Sequence, residues 1–274
     1  MNISNNSKSS YNNESPIAFF DSGVGGLTVF SKVKRILPNE NYLYFGDLKN
    51  SPYGEKSKED LVNFAKEIFD FFARKNVKAV VMACNTTSAV VYDELKNDYD
   101  YKIYPIIQSC ASVIANQRYN RIGVFATEAT VKSGVYEREL KKYNKDIKVF
   151  SSYCPEWVSI VEEKKFDSPD SLNCVKKYLD VMLANKPDKI VLGCTHYPFL
   201  INILSRFAPR EMFIDPSVAF SEYIKNDLEK SGLLNFNNSS IFEEFYVSAQ
   251  AEKFKIAAEM FYSLDNLPEV VNLK

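Results

Sequence analysis

Short apolar runs alternate along the chain with longer segments in which apolar residues recur every three or four positions. The short runs are typical of strands buried in a parallel sheet, and the longer segments are typical of amphipathic helices. The predicted strands are 17–20, 42–45, 80–82, 103–107, 121–126, 148–153, 190–192, 212–214 and 242–247. The predicted helices are 27–36, 57–74, 109–117, 154–162, 168–182, 198–207, 215–228 and 249–263. Strands that alternate with helices predict an α/β fold with parallel sheets.

The pattern occurs twice along the chain. In each half a strand runs into a turn and a helix, and at a similar spacing a later strand ends in a cysteine, Cys84 in the first half and Cys194 in the second. This repetition predicts two Rossmann-like, doubly wound α/β domains related by a pseudo-twofold duplication, with the active site in the cleft between them.

The elements after residue 216 have no counterpart in the second half, so we expect them to return and complete the first domain. The predicted organisation is a disordered tail over 1–15, a first domain over 16–109 plus 217–274, and a second domain over 110–216. The Asn/Ser-rich tail lacks the hydrophobic region of a secretory signal.

Charge and cysteine content exclude several classes of protein. The 34 basic and 35 acidic residues give a net charge of −1, which argues against binding nucleic acid through phosphate neutralisation. No apolar run is long enough to span a bilayer. Five widely spaced cysteines without a C-x-x-C motif and a single histidine favour reduced thiols in the cytoplasm over disulfides or a metal centre. We therefore expect no metal.

The two strand-end cysteines are the main candidates for chemistry. A free cysteine is often simply buried, but two at matching strand ends favour a function. Each precedes side chains that form hydrogen bonds: Asn85 and Thr86 in the first half, and Thr195 and His196 in the second. Ligands bind beyond the carboxyl ends of strands in open α/β sheets, so the placement suits a site.

A glycine-rich turn, D-S-G-V-G-G over 21–26, joins the first strand to the first helix. It is not a dinucleotide fingerprint, because Thr28 stands where the last glycine would be, and no G-K-[ST] follows. Glycines here let the backbone approach a small ligand, and the helix amides suit a carboxylate. Asp21 would orient a cation or base, cap the helix, or do both.

Two facing thiols suit proton transfer on opposite faces of one carbon. Disulfide exchange is the alternative, but its usual motif is absent. A thiol has a pKa of about 8.5, and we expect the helix N-termini after Cys84 and Cys194 to lower the pKa of both. With no firm cofactor motif, the carbanion would be stabilised by hydrogen bonds from the protein.

The motifs D-S-G-V-G-G over 21–26, P-Y-G over 52–54, A-C-N-T over 83–86 and G-C-T-H-Y-P over 193–198 resemble those of the glutamate racemases, in the aspartate/glutamate racemase family, in order and spacing. The resemblance covers nearly all of the chain after the tail. It implies a cofactor-independent, two-base racemase that makes D-glutamate for peptidoglycan and acts as a homodimer in the cytoplasm.

The resemblance also implies roles for individual residues. Cys84 and Cys194 would be the acid/base pair, Asp21 would assist Cys84, and His196 and Glu162 would assist Cys194. Glutamate would be bound by Asp21, Ser22, Tyr53, Gly54, Asn85, Thr86, Thr127, Thr130, Thr195 and His196.

Other functions stay open. An aspartate racemase or a broader amino-acid racemase would share the fold and chemistry, and the motifs do not reveal the preferred side-chain length. A non-catalytic amino-acid-binding or regulatory protein is a further alternative, against which both cysteines and the sole histidine weigh. A pyridoxal phosphate enzyme is disfavoured, because no lysine stands in a convincing strand-end setting.

Overall fold

The computed structural model describes residues 11–237 and 241–273, and its strands form two parallel sheets. The strands are β1 Ile17–Asp21, β2 Tyr42–Gly46, β3 Ala79–Met82, β4 Lys102–Pro105, β5 Arg121–Ala126, β6 Lys148–Tyr153, β7 Lys189–Gly193, β8 Phe213–Ile214, β9 Glu243–Val247 and β10 Glu269–Val270. Every strand pair in these residues is parallel. The predicted α/β class is confirmed.

Helices connect the strands and cover both sheets. They are α1 Leu27–Ile36, α2 Lys58–Arg74, α3 Asn85–Val90, α4 Tyr92–Leu95, α5 Ile106–Ala115, α6 Glu128–Lys132, α7 Val135–Lys141, α8 Glu156–Glu162, α9 Pro169–Ala184, α10 Ile201–Leu204, α11 Pro216–Lys230 and α12 Ala251–Ala258. Tight 3₁₀ turns add Tyr53–Glu55, Tyr197–Leu200 and Arg210–Met212. Ser57 and Ser168 cap α2 and α9 by accepting hydrogen bonds from backbone amides.

The two sheets share one strand order. The first runs β10-β9-β2-β1-β3-β4 and the second runs β6-β5-β7-β8, so the first four strands of each half follow the order second, first, third, fourth. In this order the second strand lies on one side of the first strand, and the third strand lies on the other side. The direction in which strands are added to the sheet therefore reverses, and this reversal creates a topological switch point at the carboxyl ends of the first and third strands. The switch points lie between β1 and β3 and between β5 and β7.

The late strands complete the first sheet. β9 pairs with β2, and β10 extends the edge beyond β9. The second sheet holds only strands between residues 121 and 214. The predicted domain boundaries at 109/110 and 216/217 both fall inside helices, α5 and α11, and they stay predictions.

A shared apolar core joins the two halves. α1 packs on α11, α11 packs on α5, and α5 packs on α7, so these helices lie between the sheets. Their cluster combines Phe30 and Tyr44 from the first half with Val124 and Val191 from the second. Burying one large apolar side chain contributes about 1.5–3 kcal/mol, so this common core holds the sheets against each other.

Four predicted elements differ from the structure, one strand and three helices. The strand predicted over 103–107 stops at Pro105, and the helix begins at Ile106 rather than at 109. The Ser88 hydroxyl accepts from the amide of Ile107 at 3.1 Å, and this bond satisfies one of the unpaired donors that open a helix. The helix predicted over 198–207 is divided into a 3₁₀ turn and the short α10.

The helix predicted over 249–263 extends only from Ala251 to Ala258. The chain then turns, and the ring of Phe261 packs edge-on against Phe199 with 4.6 Å between centroids. This tertiary contact overrides the helical propensity of the segment. The polar sequence over 231–240 predicts a loop, and part of that segment lies outside the described residues.

Residues 1–10 of the predicted tail lie outside the described residues, but residues 11–15 contact the first sheet. Lys78, at the start of β3, donates to the carbonyls of Asn13 and Leu233 and pairs with Glu40. The backbone amide of Asn235 donates to Glu40 at 2.9 Å. This buried ion pair therefore fastens two surface segments to the amino ends of the strands.

No helix within the described residues is both long and apolar enough to cross a membrane.

We expect Lys78→Met to lower the free energy of unfolding by about 3–5 kcal/mol, because the Glu40 carboxylate then stays buried without its cation. Urea titration monitored by circular dichroism measures this change. Lys58→Met is the matched control, since Lys58 pairs with Glu94 on the surface, where such pairs contribute about 0–1 kcal/mol. Equal stability of the two variants would contradict the prediction.

Candidate active site

The switch point of the first sheet positions Asp21 and Cys84 side by side. Asp21 ends β1, and Cys84 follows β3, its direct neighbour. The Asp21 side chain is 1% exposed, and its Oδ1 accepts from the amide of Gly23 at 3.0 Å. Its Oδ2 has no hydrogen-bond partner among the described residues. Burial raises the pKa of Asp21, although the nearby His196 opposes this rise.

Cys84 is a buried thiol that holds its proton. Burial raises its pKa to about 12, and the charge of Asp21 adds to this effect. The amides of Thr86 and Thr87 at the start of α3 act in the opposite direction but do not outweigh burial. The helix amides therefore lower the pKa of this thiol as expected, but the net shift is upward because burial is the larger effect.

The switch point of the second sheet carries a sulfur beside a cation. The Cys194 Sγ lies 3.9 Å from Nδ1 of His196, and Nε2 of His196 lies 3.1 Å from Oε1 of Glu162. Burial disfavours the charged imidazolium, but hydrogen bonds to Cys194 and Glu162 outweigh it and raise the pKa of His196 to about 10. The hydrogen bond from His196 lowers the pKa of Glu162.

The chain after Cys194 also differs from the expected helix. It enters the 3₁₀ turn Tyr197–Leu200, so the positive charge beside this sulfur comes from His196 and not from an α-helix N-terminus.

The two switch points face each other at close range. A charge on Cys194 raises the pKa of Cys84, so the two sulfurs lie within electrostatic reach. A Cβ on Gly25 would lie 2.3 Å from Oγ1 of Thr195 and 2.6 Å from Cε1 of His196. The glycine-rich turn of the first half therefore rests directly on the residues that follow Cys194, and only a glycine permits this approach.

Three threonines connect the halves on a second side of the site. The hydroxyls of Thr86 and Thr127 lie 2.9 Å apart, and those of Thr127 and Thr130 lie 3.0 Å apart. Gly54 also faces Thr127, because a Cβ built on it would lie 3.3 Å from that side chain. The predicted site residues of the two halves thus meet across the cleft.

Two residues that were predicted to bind the substrate, Tyr53 and Ser22, make no direct contact with the other half in the hydrogen bonds of the described residues. The Tyr53 ring is buried, but its hydroxyl donates to Oδ2 of Asp47. Ser22 is half-buried and makes no side-chain hydrogen bond with the described residues. Their roles in binding stay predictions.

Two residues that the sequence did not single out belong to the site. The Tyr136 hydroxyl donates to Oδ1 of Asn85 at 2.8 Å, and the Thr28 hydroxyl lies 3.4 Å from the carbonyl of Thr195. In the sequence both look like ordinary helix residues. The position of Tyr136 just after the T-x-x-T segment at 127–130 was the only available signal.

The cleft is closed over the sulfurs. A space of about 10 Å³ lies beside Cys194, which is about the least that one water molecule requires. A separate cavity of about 490 Å³ lies between the halves, lined from the first half by Gly54 and Lys58 and from the second by Glu128 and Arg138.

Among residues 11–237 and 241–273, no group of three or more histidine, cysteine, aspartate or glutamate side chains is arranged to hold a metal ion.

Two facing switch points that each present one thiol define an α/β protein with a two-thiol site between its halves. The family model for Asp/Glu/Hydantoin racemase matches residues 25–221. Glutamate racemase 2 of Caldanaerobacter subterraneus is 41% identical over 247 residues, which cover 89% of this chain and 92% of that protein. The glutamate racemase of Nostoc sp. is 36% identical and covers 94% of this chain and 88% of its own length.

A solved structure matches the fold over almost its whole length. The glutamate racemase of Francisella tularensis, in complex with D-glutamate, has a TM-score of 0.89 and 34% identity, covering 95% of this chain and 98% of that one. The chain therefore belongs to the Asp/Glu/Hydantoin racemase family.

We expect the single histidine to titrate with an apparent pKa of about 10, and Glu162→Gln to lower this pKa, because the substitution removes the anion that stabilises the imidazolium. His196 thus stays protonated as the pH rises through neutrality and loses its proton only near pH 10. NMR of ¹³C-histidine-labelled protein measures this directly, since the chain contains one histidine. A titration near the usual 6.5 would contradict the assigned contacts.

Proposed function

We propose that this protein racemises glutamate without a cofactor, by proton transfer between two cysteines on opposite faces of the α-carbon. The observation that carries the proposal is the pairing of Cys84 and Cys194 at facing switch points, within electrostatic reach of each other. The full-length relatives are glutamate racemases, which favours glutamate as the substrate.

In one direction, the Cys194 thiolate removes the α-proton of the bound amino acid. The C–H electron pair stays on the substrate as a carbanion delocalised into the α-carboxylate, and Cys194 becomes a thiol. The Cys84 thiol then delivers its proton to the opposite face and becomes a thiolate. No proton is gained or lost overall, and the configuration at carbon is inverted. The reverse reaction exchanges the roles of the two sulfurs.

The surroundings of the sulfurs match these starting states. Burial and Asp21 keep Cys84 protonated, so it begins as the acid. The imidazolium of His196 donates toward Cys194 and places a positive charge where a thiolate would form. We propose that Asp21 assists Cys84 in the reverse direction, and that Glu162 assists Cys194 by orienting His196.

Substrate binding is proposed to use the polar groups that converge between the halves. Asn85, Thr86 and Thr195 lie next to the two cysteines, and Thr127 and Thr130 extend this lining from the second half. Asp21, with one carboxylate oxygen unpartnered, is positioned to accept from the substrate ammonium. Ser22, Tyr53, Gly54 and His196 complete the proposed set.

The wider role is also a proposal. D-Glutamate made here would supply peptidoglycan synthesis in the cytoplasm, and the protein would act as a homodimer. Aspartate racemisation is the alternative activity. It differs by one methylene of side-chain length, a difference that pockets discriminate by about 10–200-fold.

We expect Cys84→Ala and Cys194→Ala each to lower racemisation of glutamate by about 10²–10⁴-fold, the range that general acid–base groups contribute. The measurement is incorporation of solvent deuterium at the α-carbon together with optical rotation, using L- and D-glutamate and aspartate. Cys174→Ala is the control, because that cysteine lies on α9 outside the site. Full activity in both site variants would contradict the two-thiol mechanism. Faster turnover of aspartate than of glutamate would favour an aspartate racemase.

We expect Gly25→Ala to lower kcat/KM, by about 10²-fold if the site residues shift by 1 Å, because the added methyl displaces Thr195 and His196. Gly23→Ala is the matched control in the same turn, since a Cβ there meets nothing within 4 Å. Steady-state kinetics of both variants check the prediction. Unchanged kinetics in Gly25→Ala would show that the turn does not need to touch the second half during catalysis.

A further inference from the structure

Tyr136 connects the neighbours of both cysteines. It lies on α7 in the second half and is 2% exposed. Its hydroxyl donates to Oδ1 of Asn85 at 2.8 Å, and Asn85 directly follows Cys84 in the first half. On the other side, a Cβ built on Gly193 would lie 3.1 Å from Cε2 and 3.2 Å from the hydroxyl oxygen of Tyr136. Gly193 directly precedes Cys194, so the tyrosine ring packs where only a glycine leaves room.

The hydrogen bond fixes which end of the Asn85 amide faces the site. An asparagine side chain has an oxygen that accepts and a nitrogen that donates two hydrogen bonds. Burial raises the pKa of Tyr136 well above its usual value, so the hydroxyl keeps its proton and acts as a donor. Because the Tyr136 hydroxyl donates, its partner must be the amide oxygen of Asn85, and Nδ2 of Asn85 then points away from the tyrosine ring.

The Asn85 residue is 3% exposed, and its Nδ2 donates no hydrogen bond to another group within residues 11–237 and 241–273. Asn85 lines the small space beside Cys194, so this donor is free to bond a ligand there. The opposite orientation would direct a carbonyl oxygen at the site, where it would repel an anionic group.

We propose that Tyr136 is a positioning residue that orients the Asn85 amide so that its nitrogen donates to a carboxylate of the substrate. This inference rests on the proposed function and adds a residue that acts through Asn85 without touching the substrate. Through Tyr136, the second half would thus determine the orientation of a substrate-binding side chain in the first half.

The test is Tyr136→Phe, which keeps the ring on Gly193 and removes only the hydroxyl. We expect KM for glutamate to rise about tenfold with kcat changed less than threefold, because the lost contact serves bound substrate and transition state alike. Tyr101→Phe is the matched control, since it also removes one buried hydroxyl bond, to the carbonyl of Phe69 at 3.0 Å, and Tyr101 lies at the amino end of β4, whereas the cysteines lie at the carboxyl ends of their strands. A KM in Tyr136→Phe within twofold of the unmodified protein would overturn the proposal.

A double-mutant cycle distinguishes positioning from a general structural effect. In an Asn85→Ala background, removal of the Tyr136 hydroxyl has no partner to act on, so we expect no further rise in KM. The same tenfold rise in that background would overturn the proposal. If the unmodified protein does not racemise glutamate or aspartate, the proposed function itself fails, and this outcome is separate from both others.

Asn85→Asp tests the same orientation with Tyr136 intact, should the Phe variant not fold. The aspartate still accepts from the tyrosine hydroxyl but offers an oxygen to the substrate in place of the nitrogen. We expect a larger rise in KM than in Tyr136→Phe, because a carboxylate then faces a carboxylate. Unchanged affinity for glutamate in Asn85→Asp would show that Nδ2 is not the donor.

Discussion

Polar side chains lie at the switch point of each sheet, and the helices of the same half leave some of these side chains without hydrogen-bond partners. The facing half packs directly against these polar side chains. Buried polar groups without partners cost about 1–3 kcal/mol each, so the facing arrangement is strongly constrained. Gly25 permits the closest approach, the Thr86–Thr127 contact spans the halves, and Tyr136 supplies the partner of Asn85. The apolar core around α1, α5, α7 and α11 then holds the two edges at this separation.

The two sides of the site have similar topology but different electrostatics. On one side, burial raises the pKa of Cys84, and a charge on Asp21 raises it further, so both favour the protonated thiol. On the other, Glu162 stabilises an imidazolium beside Cys194. A duplicated fold thus supplies equivalent positions for two sulfurs, and different side chains around them keep one protonated and give the other a cationic neighbour. Inversion at a carbon needs one group that gives a proton while another accepts it, and the reverse reaction exchanges these roles.

The sequence predicted the parallel α/β class, most strands and the two strand-end cysteines, because buried runs and repeated spacing report local structure directly. It could not predict the protonation state of Cys84, which depends on burial and on Asp21 from a neighbouring strand. It also missed Tyr136, since an aromatic residue on a short helix resembles any core residue until its partner across the cleft is known. The final helix is also shorter than predicted, because the chain turns after Ala258 and Phe261 packs on Phe199. Tertiary contacts decided each of these features.

The two-thiol mechanism requires one substrate carbon to lie between a sulfur from each half. A crystal structure with glutamate bound measures this geometry most directly. We predict Sγ of Cys84 and Sγ of Cys194 on opposite faces of the α-carbon, each within about 3–3.5 Å of it, the range of a near-attack geometry. Both sulfurs on the same face, or either one separated from the carbon by other side chains, would contradict it.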